Sequence, residues 1–178
     1  ESHLHYARIG RAKQQLDVFW KPKQEILDLV AAAAAEAQPG EWIQGSGWNQ
    51  EVWTPPVFPT AAELDAVAPN NPVVLIRTDG HALWANTQAM DAAGVTDATP
   101  NPPGGEIVRD PATGHATGVF VDTAMALISS VIPPDSERQQ LEALLLAQDE
   151  LLRYGITTGV DQGAYGETIE QMKRLYAD

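Results

Sequence analysis

The C-terminal part of the chain alternates helix and strand signals in an order that few folds allow. Ser136 to Tyr154 is predicted to be an amphipathic helix, because positions i, i+3, i+4 and i+7 of this segment are occupied by Leu141, Leu144, Leu145, Gln148, Leu151 and Leu152. Gly155 follows as a helix stop, Ile156 to Asp161 predicts a strand, and Glu167 to Tyr176 predicts another helix. The leucines expected to pack against that strand are Leu141, Leu144, Leu145, Leu151 and Leu152. Strands that alternate with helices form a parallel sheet covered by helices, so we predict an α/β fold.

The middle of the chain has a different composition, rich in tryptophan and proline, which indicates a mixed α+β insertion. Before the insertion, a helix is predicted over Glu25 to Ala37. Within the insertion we predict a helix capped by the Thr60 to Glu63 box and ending at Val67, a strand over Val73 to Arg77, a helix over Trp84 to Ala93, a hairpin with strands at Gly105 to Arg109 and His115 to Val121, and a helix capped by Asp122 and ending at Val131. We therefore divide the chain into a first strand end and helix (1–38), an inserted lobe (39–134), and a helix, second strand and following helix (135–178).

Charge and cysteine content exclude several classes of function. The chain has 11 basic and 24 acidic residues, a formal net charge of −13 and no cysteine. It therefore has no disulfides, no cysteine-ligated zinc and no cysteine nucleophile. The acidic balance gives no basic surface for nucleic acid, and the longest apolar run, Leu29 to Ala35, is too short to span a membrane. The absence of cysteine is compatible with a reducing cytosol, so we favour a cytoplasmic location without requiring it.

The sharpest chemical signal is the run His3-Leu4-His5 near the N-terminus. On a strand, residues i and i+2 point to the same side, so both imidazoles would face one way while Leu4 faces the other. Histidine is the commonest metal ligand, and two of them form half of a zinc-type ligand set. The competing interpretation is a linker or tag remnant at a chain end.

A second group of candidates follows the strand predicted over Val73 to Arg77. A strand that ends in a glycine turn gathers ligand-contacting groups, which predicts that Asp79, His81, Trp84 and Asn86 bind substrate. Of these, Asp79, His81 and Asn86 are expected to face the same opening as the paired histidines. In the structural alternative, Asp79 caps a helix and His81 is an ordinary surface residue. For Asp161, two interpretations stay equally open: a catalytic group at a strand end, or a helix cap or turn former.

An ordered series of short motifs resembles one group of metal-dependent hydrolases. The motifs are Ser2-His3-Leu4-His5, Pro39-Gly40-Glu41-Trp42-Ile43, Gly45-Ser46-Gly47-Trp48-Asn49, Leu64 to Val73, Arg77-Thr78-Asp79-Gly80-His81, Trp84-Ala85-Asn86-Thr87, Ala93-Gly94-Val95, Pro103 to Asp110, Thr117-Gly118-Val119 and Gly155-Ile156-Thr157-Thr158. Together they resemble the amidohydrolase superfamily, in particular amidohydrolase family 3, which includes YtcJ-like proteins and N-substituted formamide deformylases.

The resemblance implies a fold, a cofactor and a reaction. It implies the first two βα units of a (β/α)8 barrel carrying the insertion, with His3 and His5 at the end of the first strand as ligands of a divalent metal, expected to be zinc. Glu1 stands where the family usually has Asp. The implied reaction is hydrolysis of a small amide or formamide substrate by metal-activated water. The further ligands and the general base of the family lie on later strands, so we expect them outside this chain.

Two hypotheses of different classes follow. In the first, the chain is the N-terminal part of a metal-dependent amidohydrolase and is inactive alone. In the second, it is a non-catalytic binding or assembly module, because unpaired parallel strands leave open edges that favour a partner, including a second copy of the chain.

Overall fold

The computed structural model describes residues 1–175 and divides into two compact units. The terminal unit comprises Glu1–Gln15 together with residues from Pro133 onward, and the lobe comprises Leu16–Ile132. Helices α1 (Tyr6–Lys13), α6 (Glu137–Arg153) and α7 (Gly166–Leu175) belong to the terminal unit. The lobe contains β1 (Leu16–Asp17), α2 (Lys23–Glu36), β2 (Ile43–Trp48), a 3₁₀ turn (Gln50–Val52), α3 (Ala61–Asp65), β3 (Val73–Arg77), β4 (Ala82–Ala85), α4 (Thr87–Ala92), β5 (Gly105–Arg109), β6 (Ala116–Asp122) and α5 (Met125–Ser129).

The lobe is built on one mixed six-stranded sheet in the order β1-β2-β3-β4-β6-β5. β1, β2 and β3 are parallel, whereas the β3–β4, β4–β6 and β5–β6 pairs are antiparallel. The turn through Gly80 (φ +76°) joins β3 directly to β4, and so short a connection can join only antiparallel neighbours. The hairpin of β5 and β6 is confirmed, with the Asp110 carboxylate accepting from the amides of Ala112 and Thr113.

The predicted helix over Trp84 to Ala93 is wrong at its start. Residues 82–85 form the central strand β4, which pairs with β3 on one side and β6 on the other, so that Trp84 lies opposite Leu75. All four residues of this strand are buried, and such a short apolar run cannot be told from a helix by periodicity alone. The helix itself starts at Thr87, after Asn86 as its N-cap. The predicted cap at Asp122 is also wrong, because Asp122 ends β6 and α5 begins after Ala124.

Three tryptophan rings form the centre of the lobe core. Trp48 stacks on Trp53 with centroids 6.0 Å apart, and Trp84 meets both edge-on at 6.4 and 6.3 Å. Each indole N–H donates to a backbone carbonyl, those of Leu75, Lys21 and Thr60 respectively. Large aromatic rings are stable inside a core when their polar edge is satisfied in this way. Ile26 and Val30 bury one face of α2 in the same core.

The terminal unit is held by a close crossing of α1 and α6. At Gly10 an added Cβ would lie 1.6 Å from the carbonyl oxygen of Ala143, so the two backbones are nearly in contact. Ala143, Leu144 and Ala147 form the buried face of α6, and Ser136 and Gln139 cap its start reciprocally. The prediction that Leu145 and Leu152 are buried is wrong, since they are 47% and 51% exposed. The leucines occupy more of the helix circumference than α1 covers.

The residues predicted as the second strand pair only through a short parallel ladder. The backbone amide of Leu4 donates to the carbonyl of Val160 (3.1 Å), and the amide of Val160 donates to the carbonyl of Glu1 (3.0 Å). The amide of Gln162 donates to the carbonyl of Leu4 (3.0 Å). Within the described residues, this segment pairs with the N-terminal residues alone, through a β-bridge between Leu4 and Asp161, and does not form a strand. α7 follows as predicted, with Tyr176 outside the described residues.

The observed units place α2 differently from the predicted division at 38/39. α2 packs on the lobe sheet, so the lobe begins at Leu16. No helix within residues 1–175 is both long enough and apolar enough to cross a membrane.

The crossing at Gly10 generates a stability test. Replacing glycine by alanine inside a helix normally stabilises it by about 1 kcal/mol. At Gly10 the new methyl group would overlap the Ala143 carbonyl, so we expect Gly10→Ala to lower the free energy of unfolding by about 2 kcal/mol or more. Chemical denaturation of the variant and of the exposed-site control Ala12→Gly, expected to lose only about 1 kcal/mol, measures both. A stabilised Gly10→Ala would contradict the close crossing.

Candidate metal centre

His3 and His5 lie on one side of a buried anchor. Their ring centroids are 5.3 Å apart and the rings meet edge-on, while Leu4 between them is 8% exposed. His5 directly precedes α1 as its N-cap residue. The pairing of Leu4 with the segment around Asp161 therefore fixes the backbone from which both imidazoles project.

Asp161 and Gly163 hold the backbone around His5. The Asp161 carboxylate accepts from the amide of Tyr6 (3.1 Å) and from the amide of Gly163 (2.7 Å), so it joins the start of α1 to the opposite segment. Asp161 thus forms a turn with Gly163 and binds the start of α1, and a catalytic role for it stays a prediction. A Cβ at residue 163 would lie 2.7 Å from Nδ1 of His5, so a side chain there would displace the ring. Sequence analysis did not single out Gly163, whose only signal is a glycine two positions after Asp161.

The two histidines fit part of a metal site. Two imidazoles that share one tetrahedral zinc ion place their ring centroids about 5 Å apart, since each Zn–N bond is about 2 Å long. The observed separation of 5.3 Å is consistent with a shared metal. Across residues 1–175, however, no group of three or more histidine, cysteine, aspartate or glutamate side chains is arranged to hold a metal ion. The two histidines are therefore fewer than the three protein ligands that zinc sites use.

His81 lies in the lobe, after the end of β3. Its backbone amide donates to Asp79 (3.0 Å), and Asp79 is bound in a bidentate manner by Arg77, at 2.9 and 2.7 Å. The Arg77 guanidinium stacks on the rings of Trp48 and Phe58, with distances of 5.9 and 5.7 Å to their centroids. Hydrogen bonds from Arg77 lower the pKa of Asp79 below its ordinary value, against the opposing effect of burial.

The ring of His81 is paired with a residue that sequence analysis did not associate with it. Nδ1 of His81 lies 2.8 Å from Oδ1 of Asp122. The signal that could have linked them is the hairpin, because once β4 is recognised as a strand, its start lies opposite the end of β6.

Trp84 and Asn86 are buried, and their polar groups are occupied within the lobe. The indole N–H of Trp84 donates to Thr60. The Asn86 oxygen accepts from the amides of Val73 and Ala89, and its nitrogen donates to the carbonyls of Ala68 and Asn71. Both side chains thus have structural roles. Their assignment to a substrate site stays a prediction. The expectation that the lobe residues and the paired histidines face one opening also stays a prediction.

The contacts of Asn86 predict a large stability effect. Asn86→Ala would leave two buried amides and two buried carbonyls without this partner, so we expect the free energy of unfolding to fall by about 3 kcal/mol or more. The neighbouring variant Gln88→Ala removes a hydrogen bond at an exposed position and should change stability by less than about 0.5 kcal/mol. Denaturant titration of both variants makes the comparison. Equal losses of unfolding free energy in the two variants would contradict a large contribution of the Asn86 hydrogen bonds to stability.

The lowered pKa of Asp79 predicts a pH-dependent contribution to stability. A carboxyl group whose pKa is lower in the folded state stabilises the protein above its unfolded pKa, and this contribution is lost as the pH falls through the folded value. At neutral pH, Asp79→Asn should therefore lower the free energy of unfolding by up to about 1 kcal/mol, a small effect because the side chain is 45% exposed.

The difference between Asp79→Asn and wild type should vanish as the pH falls well below about 4, the ordinary pKa of aspartate. Gln88→Ala, an exposed substitution on α4 that removes no carboxyl group, is the control and should show no such trend. Denaturation curves measured across this pH range test the prediction, and a difference that persists in acid would rule out the ion pair as its cause.

Comparison with known proteins places the chain in a family. Residues 1–177 match the sequence profile of the Amidohydrolase family, so the chain belongs to that family. It is 38% identical to the protein LONG AFTER FAR-RED 3 of Arabidopsis thaliana, over 100% of this chain and 32% of that protein. It is 32% identical to the N-substituted formamide deformylase of Arthrobacter pascens, over 99% of this chain and 34% of that enzyme. The chain thus spans about a third of the length of these relatives.

Solved structures show a related fold. The crystal structure of a metal-dependent hydrolase from Pyrococcus horikoshii OT3 superimposes with a TM-score of 0.68 at 21% identity, covering 98% of this chain and 32% of that one. This likeness shows the mixed α/β fold.

Proposed function

We propose that the chain is part of a metal-dependent amidohydrolase that cleaves C–N bonds of amide or formamide type. The observation that carries the proposal is the pair of imidazoles, 5.3 Å apart on one side of Leu4, in a chain of the Amidohydrolase family. The formamide deformylase among its relatives supports the substrate class.

His3 and His5 would hold the metal, zinc in this proposal, through one ring nitrogen each. A divalent metal in such a site supplies Lewis-acid chemistry, polarising a carbonyl group and activating water. The chain's own residues fix the geometry: Leu4 anchors the backbone, Asp161 ties the start of α1 to the opposite segment, and Gly163 leaves room for the His5 ring. In the lobe, His81 would contact the substrate and Asp79 would hold its backbone, whereas Trp84 and Asn86 would shape the supporting core.

We also propose that the terminal unit is the beginning of a (β/α)8 barrel. The parallel pairing of Leu4 with Asp161, with helices following both segments, is the arrangement of consecutive βα units. His3, His5 and Asp161 lie at the carboxyl ends of the two paired segments, where barrels of this type carry their active sites. In this proposal, the general base and remaining metal ligands belong to later strands.

The second candidate function is a non-catalytic binding or assembly module. The observation that favours it is the absence, within residues 1–175, of a third metal ligand near the two histidines. Both candidates predict that this chain alone does not turn over substrate, and they differ in whether it binds metal.

A zinc titration of the purified chain separates the two candidates. We expect weak binding that shifts the His3 and His5 resonances and that His3→Ala weakens at least about tenfold, as expected for loss of one of two ligands. His115→Ala, in the lobe hairpin, is the control and should leave binding unchanged. No zinc-dependent shift of either histidine would contradict the metal site and favour the module.

Simple formamides test the proposed lack of activity in the isolated chain. We expect no turnover above the rate in buffer, with or without zinc. Stoichiometric, tight zinc binding accompanied by turnover would show that the chain carries a complete site, and Asp161 would then be the first residue to replace.

A further inference from the structure

The His81–Asp122 pair joins two segments of the lobe that are 41 residues apart. Besides the 2.8 Å contact between Nδ1 and Oδ1, the backbone amide of Asp122 donates to the carbonyl of His81 at 3.0 Å. The side chains are 68% and 50% exposed, so neither of them fills the core. An exposed pair that is held through both backbone and side chain is well defined in position while remaining open to a ligand.

We propose that Asp122 is a positioning residue that fixes the proton on Nδ1 of His81. A carboxylate can only accept hydrogen bonds, so Nδ1 must donate to Asp122. In the neutral imidazole, Nε2 then keeps its lone pair. Among the residues that the structure describes, none forms a hydrogen bond with Nε2. His81 therefore presents a hydrogen-bond acceptor at an exposed position, suited to an N–H donor such as that of a secondary amide.

The backbone of Asp122 supports a specific role. Its φ of +50° lies in the left-handed region, which non-glycine residues adopt rarely and in which aspartate and asparagine are enriched. Backbone conformations of this kind concentrate at functional sites. The left-handed residue ends β6 beside the start of β4, where its carboxylate meets the ring.

A second histidine–aspartate pair in the lobe provides the contrast. His115 also contacts a carboxylate, that of Asp97. The Asp97 carboxylate accepts in addition from the amide of Ala116, and Arg109 donates to the Asp97 carbonyl, so this pair belongs to the framework that closes the hairpin. The Asp122 carboxylate, by comparison, has the His81 ring as its hydrogen-bond partner among the described residues and supports no backbone amide.

His81 is also held from its other side. Asp79, itself fixed by Arg77, accepts from the His81 amide, so the backbone and the ring of His81 have separate carboxylate partners. This division of roles predicts that Asp79 determines where the residue sits and Asp122 determines which ring nitrogen carries the proton. The use of His81 by a substrate rests on the proposed function, whereas its tautomer can be measured without substrate or metal.

The test is ¹⁵N NMR of the histidine rings in the full chain, at a pH where the imidazoles are neutral, with His81→Gln used for assignment. In the wild type, we expect Nδ1 of His81 to show the shift of a protonated nitrogen and Nε2 that of an unprotonated one. Asp122→Asn keeps a residue that tolerates the left-handed backbone, and it should move His81 toward the tautomer ratio of free histidine, in which the Nε2–H form predominates. Asp97→Asn is the matched control and should leave the His81 resonances unchanged.

A second variant guards against misfolding. Asp122→Gly removes the carboxylate while accepting the positive φ, and it should give the same tautomer shift as Asp122→Asn, with thermal unfolding monitored for both. An Nε2–H tautomer in the wild type, or a His81 tautomer unaffected by both substitutions, would overturn the proposal. A failure of the metal-site proposal would appear instead at His3 and His5 and would leave these resonances as they are.

Discussion

Much of the lobe depends on three tryptophan rings whose N–H groups all find backbone acceptors. Trp48 and Trp84 lie in the parallel and antiparallel parts of the same sheet, so their contact fixes the junction of the two parts. The Trp48 ring also packs against the Arg77 guanidinium, and this guanidinium binds the Asp79 carboxylate. The same carboxylate accepts a hydrogen bond from the backbone amide of His81. A buried aromatic cluster thus controls, through one cation and one carboxylate, the position of an exposed histidine.

The terminal unit depends instead on two glycines, whose missing side chains let neighbouring groups approach closely. Gly10 allows two helices to approach until their backbones nearly touch, and Gly163 leaves the space that the His5 ring fills. In this unit, dispersion between closely packed backbones and the burial of Leu144 provide the packing that the large aromatic rings provide in the lobe. The candidate metal centre therefore depends on the local backbone path, because its two histidines lie in a segment that backbone hydrogen bonds join to residues 160–162.

The helices that could be predicted from sequence, such as α2 and α6, have local signals, whereas α1 was not predicted. The capping box at Ser136 and the glycine after Ala93 mark helix ends without reference to the rest of the fold. The strand at Trp84 and the exposure of Leu145 depend instead on which distant segments lie alongside, which periodicity does not encode. Of the candidate site, the paired histidines follow from their spacing, whereas Asp122 could be linked to His81 only through strand pairing.

The two halves of the terminal unit are separated in sequence by the entire lobe. The ion pair between Arg11 and Asp135, for example, connects residues 124 positions apart. Closing so long a disordered loop is slow and entropically costly, and contacts of high sequence separation slow folding. A lobe that folds first replaces the flexible loop by a compact body. We therefore expect an ordered assembly in which the tryptophan-centred sheet forms early and the α1–α6 crossing, together with the histidine pair beside it, forms last.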